Sequence, residues 1–500
     1  MGISRRQLFK HIALVCVSYG ASIFGATNAA QAANAKPGNR SRASPNTRRF
    51  SVKDFGAKGD GVSNDYPAIQ KAIAALSAAG GGTLLFPKGT YYVDEYKIGG
   101  KATKNTITNF TFKGLDRLVV DGNGSQIVMK GGWTRTSDYT TGKYTRSYAT
   151  QVGFLFLGCQ NLTIRNLEID GGAATIHKGD QRLVEGPSHG VFLMGCQHVE
   201  LQNLHIHHYC SDGLYISHYA DIISTQLAAT GCRFTNNGRQ GVSIIQLRYA
   251  TFTDCDFSET GMTGLYGSHS PTAGVDIEPN YAPPKVSDYT GDIQFTNCRF
   301  VSNLGFQYVG TSLEKTPYPV TFTSCLFKDT HNRPSHRTCD VLPATKLTRF
   351  ESCRFENAPL FPSYSINNKA NTTEARRCTF VSDQADQQTL GCLAPGTINV
   401  IDGCEFLFNA PAPASNARYR RIFINNPLTQ FLNNRIFISK TEHRDNGGTV
   451  VALIYNAQAA SGNHWETDLT APGQYFSALY SGVDATADSF PRPQAFRARA

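Results

Sequence analysis

The chain has 500 residues, 40% of them hydrophobic and only 17% charged, with a formal net charge of +10. Arg5, Arg6, Lys10 and the five cations between Lys36 and Arg49 carry most of that charge, so the stretch from Phe50 onward holds only +2. A near-neutral body argues against nucleic acid as the main partner. After the N-terminus no run approaches the roughly 18 apolar residues needed to cross a bilayer, and no membrane span is expected.

At the N-terminus, Ser4-Arg5-Arg6-Gln7-Leu8-Phe9-Lys10 precedes an apolar run from Ile12 to Phe24. Ala30-Gln31-Ala32 and Ala33-Asn34-Ala35 then offer small-x-small cleavage sites. Residues 1–35 read as an export signal whose paired arginines resemble a twin-arginine signal; an ordinary secretory signal with a basic start is the other reading. Either places the protein in the periplasm or outside the cell. Residues 36–49 form a basic linker without apolar period, predicted to be disordered. Residues 50–410 are assigned to the main domain and 411–500 to terminal coils and a C-terminal cap or tail.

A helix is expected from about Pro67 to Ala79, capped by Asn64 or Asp65, with Ile69, Ala72, Ile73 and Leu76 on one face. Gly80-Gly81-Gly82 stops it and Thr83–Phe86 begins the strands. Further on, a Cys-x-Phe pair recurs at Cys232, Cys255, Cys298, Cys325, Cys353, Cys378 and Cys404, mostly 23 to 28 residues apart. Upstream, the same slot holds Leu167-x-Ile169 and Leu204-x-Ile206. A period in the twenties carrying alternating apolar positions marks a solenoid of short strands, all-β and closed by the helix at its first coil. These cysteines therefore point inward as a packing ladder, with Cys159 and Cys196 as a second row, rather than forming disulfides or a metal site. Cys210, Cys339 and Cys392 lie outside both rows and could pair.

Val52-Lys53-Asp54-Phe55-Gly56-Ala57-Lys58-Gly59-Asp60-Gly61, Ala68-Ile69-Gln70-Lys71-Ala72-Ile73, and Gly81-Gly82-Thr83 with Phe86-Pro87-Lys88-Gly89-Thr90-Tyr91 closely resemble the opening of the pectate-lyase-like superfamily. Polygalacturonases, rhamnogalacturonases, mannuronan epimerases and phage tailspikes share that opening. The resemblance implies a single-stranded right-handed parallel β-helix and a polysaccharide as substrate or ligand. Asp60 and Asp65 lie in this opening and are read as turn and cap residues.

Four central segments align on a glycine: Ser188-His189-Gly190-Val191-Phe192, Ser211-Asp212-Gly213-Leu214-Tyr215, Arg239-Gln240-Gly241-Val242-Ser243 and Thr272-Ala273-Gly274-Val275-Asp276. Alternation sends Val191, Leu214, Val242 and Val275 inward, and Phe192, Tyr215, Ser243 and Asp276 into one outer stripe. Asp212 falls one coil after His189 at the same position, where a carboxylate can orient an imidazole. Asp276 and Glu278 lie two apart on one strand, about 7 Å between Cα atoms. That spacing suits the paired acid and base of an inverting glycoside hydrolase. The candidate catalytic residues are thus Asp276, Glu278, Asp212 and His189, although a turn aspartate bonding its own backbone explains Asp212 equally well.

Arg239, Tyr215, Tyr209, Trp133 and Tyr281 are the candidate substrate contacts, the last two on long excursions where aromatics mix with cations. If the bond were broken by β-elimination, Tyr209 or His189 would abstract the proton beside a carboxylate neutralised by Arg239. His205 and His207 flank Ile206 and are read as solvated; no metal and no cofactor is assigned. Polygalacturonase-like hydrolases carry a paired Asp-Asp, Gly-His-Gly and Arg-Ile-Lys, and this chain lacks all three. Mannuronan epimerases carry Tyr, then Asp three residues on and His two further; Tyr209 and Asp212 fit, while Leu214 stands at the His position. The expectation is an exported polysaccharide-active protein that cleaves glycosidic bonds as hydrolase or lyase, or acts as an epimerase, with a non-catalytic binding scaffold as the alternative and the oligomeric state open.

Overall fold

The structure is a computed structural model that describes residues 48–94, 97–98, 107–129, 133–136, 147–173, 183–184, 188–261, 271–279, 290–310, 317–331, 341–343, 345–360, 372–383, 393–394, 398–409, 419–425, 429–438, 450–455, 459–467 and 476–481. The expected export signal of residues 1–35, most of the expected basic linker, Tyr281, Cys339 and Cys392 lie outside the described residues. Trp133 falls on the strand Trp133–Thr136, with only its backbone described.

Each central coil contributes three strands, as in Thr225–Thr230, Arg233–Thr235 and Gln240–Ile244, followed by Arg248–Thr253, Asp256–Ser258 and Ala273–Ile277. Every strand in these coils pairs in parallel with its counterpart one coil on. Among the described residues, the first two strands of the coils form a 25-stranded sheet. The third strands, together with the short strands Lys97–Ile98, Trp133–Thr136 and Leu183–Val184, form a second sheet of eleven, and a four-stranded sheet takes their place from Leu393 to Ser481. The fold is a parallel β-helix.

Between the first and second strands the chain turns on one residue in the left-handed region: Gly231, Asp254, Asn297, Ser324, Ser352, Arg377 and Gly403 have φ between 50° and 62°. That corner throws the next side chain inward, and the next side chain is the recurring cysteine. From Cys255 to Cys404 each thiol is buried and lies 3.3–3.6 Å from two backbone carbonyl oxygens. The ladder is a packing element, and Cys210 is buried as well.

Two residues beyond each cysteine, Phe257, Phe300, Phe327, Phe355, Phe380 and Phe406 stack at centroid spacings of 4.6–5.0 Å. A second column, Phe252, Phe295, Phe322 and Phe350, repeats at 4.9 Å. In the late coils Asn434 and Asn463 replace the cysteine. Their side-chain amides donate to the carbonyls of Ile401 and Phe431, while their Oδ1 atoms accept from Cys404 N and Asn434 N. A buried polar residue is tolerated there because every coil satisfies the next.

The helix spans Tyr66–Ala78 and buries Tyr66, Ala68, Ile69, Ala72, Ile73 and Leu76 over the first coil, with Tyr66 against the Phe110 ring. Of the two expected caps, Asn64 takes the first helical N–H and Asp65 does not. Asp65 makes no cap bond to the helix; its carboxylate accepts from Lys58 N and Gly59 N, and Asn64 Oδ1 takes the Tyr66 N–H. Asp60 accepts from Val62 N and Ser63 N and closes a turn. Among the described residues, no helix is long and apolar enough to cross a membrane.

Candidate active site

The site lies on the outer face of the second sheet. Its register sets Phe192 beside Tyr215, Tyr215 beside Ser243 and Ser243 beside Asp276, the stripe expected from alternation. The column three residues earlier, His189, Asp212 and Gln240, joins the same face. His189 packs its ring against Phe192 and Tyr215 at 5.2 and 4.8 Å, and Gln240 Nε2 donates to Asp276 Oδ2 at 2.5 Å. Strict alternation would put residues three apart on opposite faces. The glycine between them absorbs the extra inward position: a Cβ on Gly190 would come within 2.3 Å of the Ile206 side chain in the core. The glycines that align the segments therefore also double the width of the polar stripe.

The result is a dense, buried cluster. Asp212 is 0% exposed and Asp276 2%. His189 Nδ1 approaches Asp212 Oδ2 at 3.2 Å, and Arg239 Nε lies 3.9 Å from Asp212 Oδ1, so Arg239 turns into the cluster. Neither approach is aligned as a hydrogen bond. Among the described residues, His189 Nδ1, both Asp212 oxygens, Gln240 Oε1, Ser243 Oγ and Asp276 Oδ1 are buried side-chain atoms without an aligned partner. Folded proteins rarely leave such atoms unmet, and their gathering in one place marks a site built for something other than stability.

Burial pushes the Asp276 carboxyl well above the ordinary carboxylate range, and the Glu278 and Asp212 charges push the same way; Arg239 and the Gln240 bond oppose the shift. The environment of Asp276 thus favours its protonated form over the ionised one. Glu278 follows the strand Ala273–Ile277, stays half-buried, and continues the ladder through its N–H to Ile244 O. Phe192 and Tyr215, also half-buried, meet edge to face at 4.5 Å. Beside them Leu155, Leu157, Met194 and Tyr219 form a small apolar cluster apart from the main core.

Tyr209 departs from the expected arrangement. It is 0% exposed, its hydroxyl is 3.2 Å from Met129 Sδ, and its ring fills the space left by Gly171 and Gly190. A side chain turned into the core can neither grip a sugar nor abstract its proton. Sequence reasoning also missed Gln240, although it stands in the aligned column of His189 and Asp212. The histidines are a further correction: His207 is 6% exposed, and Glu168, Asp170, His205, His207 and His208 gather their ligand-type atoms in two groups, each within 4.8 Å.

Residues 49–281 match the family described as rhamnogalacturonase A/epimerase, pectate lyase-like. A mannuronan C5-epimerase, AlgE1 of Azotobacter vinelandii, is 37% identical over 123 residues, covering 24% of this chain and 8% of that protein. An α-1,3-galactosidase B of Bacteroides thetaiotaomicron is 32% identical over 129 residues, 24% of this chain and 18% of that protein. The matched stretches are thus a minor part of either relative. Among solved structures, PfbA, a surface adhesin of Streptococcus pneumoniae, aligns over 89% of this chain and 92% of its own with a TM-score of 0.48 and 12% identity.

Proposed function

We propose, on the premise that residues 49–281 form a rhamnogalacturonase A/epimerase, pectate lyase-like domain, that this protein is exported and hydrolyses glycosidic bonds in a polysaccharide, with Asp276 as the proton donor. The observation supporting this reading is a fully buried carboxyl group beside Glu278 and Asp212, an environment that raises its pKa well above the ordinary carboxylate range. Burial and a neighbouring negative charge together are how a carboxylic acid stays protonated at a pH where it can donate. The relatives contribute a class of partner: an epimerase of mannuronan and a galactosidase both act on sugars.

In this mechanism Asp276 gives its proton to the glycosidic oxygen as the bond to the anomeric carbon breaks, and Glu278 takes a proton from the attacking water. The Cα spacing of about 7 Å set by the strand rise, with both side chains on one face, leaves room for the roughly 6.5–9.5 Å between carboxyl groups of an inverting pair. Asp212 places its charge 3.2 Å from the His189 ring, and Gln240 fixes the Asp276 carboxyl by donating to its Oδ2. Phe192 and Tyr215 supply an apolar edge for a sugar ring.

The test is digestion of a panel of neutral and uronate-containing polysaccharides, following reducing ends and the absorbance of unsaturated uronate together. New reducing ends without absorbance are expected. Absorbance would replace hydrolysis by elimination, and retention of a polymer without cutting would leave a binding scaffold. Tyr209→Phe should leave cleavage unchanged, because the hydroxyl it removes lies in the core against Met129; a large loss in kcat with an intact fold would restore Tyr209 to the chemistry.

A further inference from the structure

On a different face of the coils, parallel pairing sets Glu168 opposite His205 and Asp170 opposite His207. His208 follows with φ 56°, and this left-handed residue turns its ring back toward His207 instead of to the opposite face. His207 Nδ1 and His208 Nδ1 are 2.8 Å apart, and Asp170 Oδ1 lies 3.4 Å from His208 Nδ1 and 3.9 Å from His207 Nδ1. These separations bracket the spacing of about 3.4 Å between ligand atoms of a tetrahedral ion with bonds of roughly 2.0–2.2 Å.

The surroundings are built for the same purpose. His207 Nε2 lies 3.1 Å from Glu168 Oε1, and that oxygen also accepts from Gln126 Nε2 at 2.8 Å. A carboxylate on Nε2 fixes the proton there and leaves the Nδ1 lone pair facing His208 and Asp170, as outer-shell carboxylates do for metal-bound histidines. His205 stacks on His207 at 4.2 Å and is tied to Thr235 Oγ1 at 2.9 Å, holding the ring plane. Gly172 N donates to Asp170 Oδ1 at 2.9 Å and sets that side chain. The His208 side chain is 46% exposed, which leaves an entry path.

We infer that Asp170, His207 and His208 bind one divalent transition-metal ion of the zinc class, with Glu168 holding His207 in the ligating tautomer. Two imidazoles and one carboxylate suit a borderline ion, whereas calcium and magnesium prefer oxygen donors. The ion would pin the segment from His207 to Cys210, which leads directly into Asp212. Without an ion the same geometry is satisfied by a proton of His208 shared with His207 and Asp170, so the two states are distinguishable only by binding.

The experiment is titration of the metal-stripped chain with zinc by calorimetry and with cobalt by its visible absorption. One ion per chain is expected, unaffected by excess calcium. Asp170→Asn and His208→Asn, the latter chosen because Asn tolerates the left-handed region, should weaken binding by at least about tenfold, and Glu168→Gln by about 10–100-fold. Circular dichroism matching the parent confirms that each variant folds. Absence of stoichiometric binding, binding untouched by these substitutions, or binding kept in His208→Asn but lost in His205→Asn would each overturn the assignment.

Discussion

Asp276→Asn is expected to lower the cleavage rate by about 10²–10⁴-fold while leaving the melting temperature near neutral pH at or above that of the parent. The two outcomes have one cause. The folded chain keeps a proton on Asp276 that the unfolded chain releases at an ordinary carboxylate pKa, so the folded state binds more protons between the two values. Stability therefore falls as pH rises from the unfolded pKa through the raised folded one, and that loss persists at neutral pH. An asparagine never ionises, and its Oδ1 can still accept from Gln240 Nε2. Cleavage by the parent should also decline as pH rises through the raised value, because the donor is then lost. A thermal melt beside a rate assay checks both; a variant that is less stable and fully active would make Asp276 a structural residue.

Phe322→Ala should cost about 3–5 kcal/mol, read as a shift in the urea midpoint at unchanged slope. Phe322 is 0% exposed and stacks between Phe295 and Phe350 at 4.9 Å each, with Phe300, Phe327 and Tyr308 against its edges. Removing it opens a void between two aromatic columns that the backbone ladders hold at fixed spacing, so the coils cannot close in. Phe192→Ala is the control, since that ring is half-buried on the outer face, outside the main core, and packs on His189, Tyr215 and the small cluster of Leu155 and Leu157. Equal costs for the two would contradict the account of the core.

The fold was legible because the repeat is carried by the residues that build it. Cys-x-Phe reports a left-handed corner, an inward thiol and an inward ring, and the pairing of Phe257 with Phe300, and of Phe300 with Phe327, follows from that recurrence. The site was legible only in part. Alternation found the row ending in Asp276, but it could not show that Gly190, Gly213, Gly241 and Gly274 insert an extra inward position and bring Gln240 to the same side. Tyr209 was misplaced for a related reason: it belongs to a turn, where no period of two applies, and glycine gaps in neighbouring coils draw its ring inward. His208 stood beside two histidines on the strand, yet only its positive φ reveals that it faces His207.

The central claim is that the widened stripe around Asp276 is where a polysaccharide is held and cut. A crystal structure of Asp276→Asn with an oligosaccharide from the digested polymer tests this most directly. The account predicts a glycosidic oxygen within hydrogen-bonding distance of residue 276, with Glu278 on the far side of the scissile bond and a sugar ring on Phe192 or Tyr215. An oligosaccharide ordered on another face, with the cluster of His189, Asp212 and Gln240 untouched, would contradict it.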